Sequence, residues 1–238
     1  MFKEKIQISS LDVDFNGELK LSSLFKYMQQ VASHHVAELK LGSKELIPLN
    51  LLWVVIRMNV EIYRYPRIDE AVTFTTHPGD MKAFIYPRYF EIYDEKGNLL
   101  IAVSSMWCLI NSDTRKVVLK PDGLVKIDGE PCDEDLPLSD KIRGDATSLV
   151  ETRKVKYSEI DLNRHLNNTK YIEFIEDCHD SAFFENNRVT SLNINYDKEI
   201  KENQTVELYS NGQNPEIIKG MIDGNNCFTV ELKYESRR

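Results

Sequence analysis

The stretch DFNGELKLSSLFKYMQQV, residues 14–31, recurs in altered form as DLNRHLNNTKYIEFIEDC, residues 161–178. The two segments align without a gap at an offset of 147 positions, with identity at Asp14/Asp161, Asn16/Asn163 and Leu19/Leu166. Apolar residues of the first segment fall on apolar residues of the second, at the three- and four-residue spacing of one helix face. The chain therefore contains two related loop-and-helix segments.

A second pair of segments follows in the same order. MNVEIYRYPRIDEAVTF, residues 58–74, lies over LNINYDKEIKENQTVEL, residues 192–208, at an offset of 134. Amphipathic segments also resemble one another by coincidence, because apolar periodicity alone reproduces part of such matches. Two matching blocks in the same order favour the alternative, a duplicated unit of strand, helix and sheet.

The local patterns predict an α+β fold. Apolar residues between positions 21 and 39 recur at helical spacing and predict a long helix, with Ser22 or Ser23 as its cap. From residue 51 to residue 118, segments rich in Val, Ile, Tyr, Phe and Thr alternate with turn signals. Long strands with short turns are typical of an antiparallel sheet. The second half repeats this order, with a helical stripe at residues 171–178 before four strand-like segments.

Composition divides the chain into three parts. Residues 119–148 contain three prolines and an acidic run, which is typical of a linker on the surface. We therefore predict an N-terminal domain at residues 1–118 and a C-terminal domain at residues 149–238.

Charge and cysteine usage exclude several classes of protein. The formal net charge of −8 argues against general nucleic-acid binding, because phosphates attract basic surfaces. The four cysteines form no C-x-x-C pair and are predicted to be free thiols. No cluster has metal-ligand spacing, so no metal is predicted. The most apolar stretch, residues 46–56, is too short to cross a bilayer, and residues 1–10 lack a signal-peptide pattern. We expect a cytoplasmic protein without a membrane partner.

The differences between the two copies concentrate polar chemistry in the second. His165 stands where the first copy has Glu18, and Glu199 stands where it has Tyr65. Imidazole and carboxylate groups can exchange protons near neutral pH. We therefore expect the first half to have no chemistry and the change Glu18→Gln to be nearly silent.

The motif D-x-N-x-H-x-N-N-x-x-Y-I, at residues 161–172, resembles the acyl–acyl carrier protein (acyl-ACP) thioesterases, the plant Fat type and its bacterial relatives. In the first half, LLWVVIRMNVEIYRYP, YPRYFEIYDEKGNLL and SSMWCLINSDTRKVV resemble that family's N-terminal domain. The resemblance covers nearly the whole chain, with the linker as its least secure part.

The resemblance implies a tandem, or double, hotdog architecture in which each domain is a long helix wrapped by an antiparallel sheet. It implies hydrolysis of fatty acyl thioesters on acyl carrier protein, with the N-terminal domain holding much of the acyl chain. No cofactor is implied, and a homodimer is left open. Two alternatives remain: a thioesterase for coenzyme A esters, and a non-catalytic acyl-binding or regulatory hotdog protein.

The resemblance also implies a set of catalytic residues. They are Asp161, Asn163, His165 and Glu199, of which Glu199 matches an acidic residue that the family carries on a strand. Plant members have a cysteine where this chain has Ile200. Since isoleucine is not a nucleophile, catalysis is expected to be independent of a thiol.

Thioester hydrolysis needs a base that activates water and donors for the developing oxyanion. We expect Glu199 to be the base and Asp161 to orient Asn163 and His165. The amides at the start of the helix after His165 could bind the oxyanion, because helix N-terminal N–H groups are unsatisfied. Each residue also has a purely structural interpretation: Asp161 starts a turn, His165 lies in a surface loop and Glu199 is solvated.

Other polar residues near the motif have simpler explanations. Asn167 or Asn168 is expected to cap the helix, and Cys178 lies on its apolar stripe, so it belongs to the core rather than to a nucleophile pair with His179. Five basic residues near the motif form a candidate surface for the carrier protein, which is acidic as a class. They are Arg153, Lys154, Lys156, Arg164 and Lys170.

Overall fold

The computed structural model describes residues 1–119, 127–130, 132 and 135–237. The strands are β1 (Phe2–Gln7), β2 (Leu51–Ile62), β3 (Ala71–Pro78), β4 (Tyr86–Tyr93), β5 (Leu99–Asn111), β6 (Ser148–Lys154), β7 (Asn187–Tyr196), β8 (Thr205–Ser210), β9 (Glu216–Ile222) and β10 (Asn225–Ser236). The helices are α1 (Leu21–Glu38), α2 (Ser43–Leu46), α3 (Asn168–Asp177) and α4 (Ser181–Asn186), with 3-10 turns at Ile47–Leu49 and Tyr157–Glu159.

All ten strands belong to one sheet, in the order β1-β3-β4-β5-β2-β7-β10-β9-β8-β6, and every neighbouring pair is antiparallel. The predicted α+β class with an antiparallel sheet is confirmed. The two halves meet where β2 pairs with β7, and Asn59 lies opposite Asn193 in that register. These two asparagines are equivalent at the offset of 134. The sheet is continuous across the repeat because the equivalent strands pair with each other.

The helices α1 and α3 pack together against the sheet. Phe25, Met28 and Val31 of α1 are buried in the same core as Ile172 and Phe174 of α3. The apolar stripes predicted from sequence therefore face a shared interior. The helix α3 has only 10 residues, whereas α1 has 18, so among the described residues the long helix expected in both halves is present only in the first. Among the helices of the described residues, none is long and apolar enough to cross a membrane.

The helix starts differ from each other. Asn167 caps α3, since its side chain accepts the Thr169 N–H, as predicted. The predicted serine cap of α1 is wrong: α1 begins at Leu21, and its capping position, Lys20, makes no side-chain capping bond. Ser22 lies inside the first turn, where its own N–H needs an acceptor from elsewhere in the fold.

Part of the predicted linker is anchored on the sheet rather than lying free on the surface. The Ser104 hydroxyl donates to the Pro137 carbonyl at 2.9 Å, and the Arg57 guanidinium donates to the Ser139 carbonyl at 3.3 Å. His77 Nε2 lies 2.7 Å from Asp135 Oδ1. His77 and Phe74 point to opposite faces of β3, because side chains alternate along a strand. Phe74 packs against Tyr27 of α1, so the linker segment that contacts His77 covers the face of the sheet away from the helices.

Candidate active site

A tight loop at residues 161–165 holds three of the predicted site residues. Asp161 Oδ1 accepts the backbone N–H groups of Asn163 at 2.8 Å and His165 at 3.1 Å. The Asp161 N–H donates to the His165 carbonyl at 2.8 Å, which closes the loop. Arg164 has a φ of 63°, a left-handed conformation that the closure requires. The turn interpretation and the functional one are thus compatible, because Asp161 organises the loop with one oxygen only.

The first copy has the same loop with different chemistry. Asp14 Oδ1 accepts the N–H groups of Asn16 at 2.8 Å and Glu18 at 3.0 Å. Gly17, the counterpart of Arg164, has a φ of 71°. The two loops therefore share the same backbone-to-aspartate hydrogen bonds, while the fifth side chain changes from the carboxylate of Glu18 to the imidazole of His165.

Glu199 joins this loop from the other side. The prediction that Glu199 lies on a strand is wrong, because it follows the end of β7 by three residues. The Leu166 N–H donates to the Ile200 carbonyl at 2.7 Å, which holds the two segments together. Glu199 Oε2 then lies 3.3 Å from His165 Nε2. Ile200 itself is fully buried, so its side chain belongs to the core.

Arg115 contacts the other carboxylate oxygen of Glu199. It extends from the turn after β5 in the first half, where it has a φ of 56°. Burial lowers the pKa of His165, and the positive charge of Arg115 lowers it further, while Asp161 acts in the opposite direction. A neutral His165 beside Glu199 can accept a proton.

A cavity of about 210 Å³ opens next to this loop. Asp161 and Asn163 line it, together with Asn168 and Thr169 at the start of α3. His165 and Glu199 lie outside the lining. The structure thus divides the four predicted residues into two that line the cavity, Asp161 and Asn163, and two that contact each other outside its lining, His165 and Glu199.

The rest of that cavity is built by the first half. Its walls include apolar and aromatic side chains of α1 and of strands β2, β4 and β5. They are Phe25, Met28, Ala32, Val36, Trp53, Tyr86 and Trp107. Binding cavities of this kind combine an apolar interior with a few polar groups at one end. The residues that line the cavity therefore come from both halves of the chain.

A larger cavity, of about 580 Å³, lies at the equivalent place of the first half, beside Asp14 and Ser22. Its wall includes the buried Glu18, whose carboxylate lies 2.8 Å from Arg237 and 3.4 Å from Arg67. With no imidazole in the loop and its carboxylate held by guanidinium groups, this cavity lacks a free proton acceptor at the position of His165. Size alone does not identify the reactive site.

A third polar cluster, outside both cavities, was not predicted. Ligand atoms of His77, Glu91 and Asp135 lie within 4.8 Å of one another. These residue types bind transition metals, but one ring nitrogen of His77 is already hydrogen-bonded to Asp135. The contacts therefore describe an anchor for the linker.

Two family models match most of the chain. The sequence model of the acyl-ACP thioesterase N-terminal domain matches residues 1–127, and that of the C-terminal domain matches residues 143–234. The chain belongs to the acyl-ACP thioesterase family. The resemblance found in the motif at residues 161–172 is thereby confirmed.

Relatives of this family member are distant in sequence. The chloroplastic oleoyl-acyl carrier protein thioesterase 2 of Arabidopsis thaliana is 22% identical over 98% of this chain and 69% of its own length. A chloroplastic acyl-[acyl-carrier-protein] hydrolase of Cuphea viscosissima is 25% identical over 87% of this chain. The chain spans about half the length, 53%, of that second relative.

Solved structures of family members superpose closely on this chain. An acyl-ACP thioesterase from Bacteroides thetaiotaomicron has 25% identity and a TM-score of 0.86, with 98% of this chain and 97% of the other covered. A 12:0-ACP thioesterase from Umbellularia californica has 19% identity and the same TM-score, covering 99% and 97%. The second likeness shows the fold alone.

Sequence reasoning missed two features of this thioesterase-family site. No local signal marks Arg115, because its contact with Glu199 joins two segments that are far apart in the chain. Two cations of the predicted basic surface also have acidic partners that sequence reasoning did not identify. Arg153 pairs with Glu159 and Asp177, and Lys170 pairs with Glu173.

Proposed function

We propose that the protein hydrolyses fatty acyl-ACP thioesters and releases free fatty acid. One observation supports this above others: an apolar cavity ends at the Asp161 loop and at the start of α3, with the His165–Glu199 pair beside it. The acyl chain lies among the side chains of α1, and the thioester carbonyl lies at Asn168 and Thr169. Family membership supports the same reaction.

In the proposed reaction, water attacks the thioester carbonyl carbon and its proton passes to the His165–Glu199 pair. The developing oxyanion is stabilised by the Asn168 N–H at the positive end of the α3 dipole, because the Thr169 and Lys170 N–H groups already donate to Asn167. The carbon–sulfur bond then breaks, and the proton moves to the departing thiolate of the carrier. The fatty acid and the carrier thiol are the products, and no covalent acyl-enzyme is required.

The assignment of Glu199 as sole base is refined in this proposal. Both of its carboxylate oxygens have partners, Arg115 and His165. A carboxylate held in this way orients an imidazole more readily than it contacts water directly. We therefore treat His165 and Glu199 as one acid–base unit, with Asp161 as the group that fixes the loop and Asn163 as a contact for water or for the carbonyl.

The proposed architecture is a tandem hotdog, with α1 and strands β1–β5 in the first unit and α3 and strands β6–β10 in the second. The domains are residues 1–118 and 149–238, joined by residues 119–148. The pairing of Asn59 with Asn193 supports this division, because it relates the halves at equivalent positions. The first unit supplies the acyl cavity and the second supplies the reacting groups.

Turnover of a panel of acyl chains on both acyl carrier protein and coenzyme A tests the function. We expect hydrolysis with a higher kcat/KM on the carrier protein, and a loss with His165→Ala. Preference for coenzyme A would indicate the rival thioesterase activity. Binding of acyl chains without any turnover on either carrier would contradict an enzymatic role and favour a binding protein.

A further inference from the structure

The two halves are related by a local two-fold axis that passes between α1 and α3. Lys26 Nζ lies 2.9 Å from Glu173 Oε1, and these residues are equivalent at the offset of 147. Asn59 and Asn193, equivalent at the offset of 134, likewise lie opposite each other where β2 pairs with β7. A contact between equivalent residues requires the axis to pass between them. Residues that are equivalent at these offsets therefore lie in comparable places in the two halves.

In the first half, a carboxylate occupies the start of the helix. The Ser22 N–H, in the first turn of α1, donates to Glu176 Oε1 of α3 at 3.3 Å. Burial raises the pKa of Glu176, whereas the donors on Ser22 and Leu21 lower it. A carboxylate at the positive end of a helix dipole is a favourable pairing. It also fills the place where an oxyanion would otherwise be stabilised.

In the second half, the counterpart of this carboxylate is a neutral amide. Gln29 of α1 is equivalent to Glu176, and Thr169 of α3 is equivalent to Ser22. Gln29 lines the same cavity as Asn168 and Thr169. Glutamine has nearly the shape of glutamate, but it carries two N–H donors and no charge. A side chain of this type can approach the start of α3 without blocking it as an anion would.

We propose, resting on the function proposed above, that Gln29 borders the oxyanion site of the second half. Its uncharged carboxamide leaves the Asn168 N–H of α3 open to the substrate, since the Thr169 and Lys170 N–H groups donate to Asn167, and it donates a hydrogen bond to the thioester oxygen. The first half thereby contributes a group to the reaction of the second. In the first half, the equivalent place at the start of α1 is occupied, because the Glu176 carboxylate accepts the Ser22 N–H.

The substitution Gln29→Glu tests this proposal, because it copies the closed arrangement into the second half. We expect kcat on acyl-ACP to fall by about 100-fold or more with KM little changed, since blocking an oxyanion donor has an effect of that order. We also expect Tm to rise by about 1–4 °C, because the new carboxylate lies at the positive end of the α3 dipole. A loss of activity together with a gain of stability is not the result of damaged packing.

Two further variants serve as controls. Glu176→Gln is the mirror substitution, and it should leave kcat within about twofold while lowering Tm, since an amide oxygen is a weaker acceptor than a carboxylate at the positive end of α1. Gln29→Ala removes the donor without blocking the helix, so it should lower kcat less than Gln29→Glu does.

Separate outcomes would overturn the two proposals. Gln29→Glu with an unchanged kcat, or with no rise in Tm, would show that Gln29 does not face the start of α3. A wild-type protein without turnover on acyl-ACP would contradict the proposed function. In that case the Tm of Gln29→Glu still decides where the side chain of residue 29 lies.

Discussion

Glu18 and His165 occupy equivalent positions in the two halves, but they have opposite electrostatic surroundings. The Glu18 side chain is 4% exposed and lies within 4 Å of Arg67, Arg188 and Arg237. The His165 side chain is 16% exposed and faces the carboxylate of Glu199. One loop thus carries an acid among guanidinium groups, and the other carries an imidazole beside a carboxylate. The repeat therefore separates a structural ion cluster from the proposed reactive pair.

The change Glu18→Gln is therefore expected to lower stability while leaving the reaction intact. The sequence alone predicts a silent change, but the substitution removes the one negative charge that the guanidinium groups of Arg67, Arg188 and Arg237 share at this position. We expect a loss of about 1–3 kcal/mol in the free energy of unfolding, measured by urea denaturation, with kcat unchanged. Glu235→Gln is the matched control: Glu235 meets Arg188 at the surface, where ion pairs contribute about 0–1 kcal/mol. Equal losses from both variants would contradict a special role for the buried cluster.

Replacing Glu199 by glutamine should slow the chemical step by about 100- to 10,000-fold, the usual effect of removing a general base or its partner. The protein should remain folded, because Glu199 is about one-third exposed. Single-turnover rates measured across pH check this, with the exposed Glu202→Gln as control. Asp161→Asn should also slow the reaction, since the amide accepts the Asn163 and His165 N–H groups less strongly. If Glu199→Gln keeps near-normal rates while Asp161→Asn removes the carboxylate titration, Asp161 is the base.

Arg115→Ala should raise the pKa of His165. Arg115 is a positive charge that disfavours the imidazolium form, so its removal makes protonation easier. If neutral His165 is the reactive form, the acidic limb of kcat/KM against pH moves to higher pH. NMR titration of the His165 ring measures the shift directly, with the neighbouring Lys116→Ala as control. An unchanged His165 pKa in Arg115→Ala would mean that the charge of Arg115 does not affect the protonation of the imidazole ring.

Alkylation of cysteines should leave most of the activity. Burial, followed by the nearby Glu151, Glu216 and Asp177 charges, raises the pKa of Cys178 to about 12, and burial raises the pKa of Cys108 and Cys227 as well. Since the thiolate is the reactive form, these thiols react slowly near neutral pH. Iodoacetamide treatment followed by mass spectrometry and an activity assay checks this. Activity that falls in step with modification of Cys178, with the circular dichroism unchanged, would contradict thiol-independent catalysis.

Asp135→Ala should loosen the linker. It removes the acceptor of the fully buried His77, and we expect a loss of about 1–3 kcal/mol in stability together with faster proteolysis within residues 119–148. Asp145 is a suitable control, because it is 93% exposed in its pair with Lys219. Protease resistance equal to that of the wild type would show that the contact between Asp135 and His77 does not hold the segment.

The local parts of this structure could be predicted from sequence because their bonds are local. Asp161 and Asp14 each accept N–H groups two and four residues ahead, so the short motif is sufficient to form the loop. The Asn167 cap of α3 also depends on neighbours two residues apart. The offset between the repeats also predicts that the second half is the reactive one, since its loop has an imidazole, His165, where the first loop has Glu18.

Only the tertiary structure decided which distant groups meet. Arg115 reaches Glu199, and Glu176 reaches Ser22, because β2 pairs with β7 and brings α1 against α3. Nothing near Ser22 in the chain indicates that its acceptor lies on the other helix, which is why the predicted serine cap was wrong. Apolar periodicity specifies that a helix face is buried, but it does not specify against which partner. The packing of the two copies about their shared axis supplies that information, and with it the charges around the reacting groups.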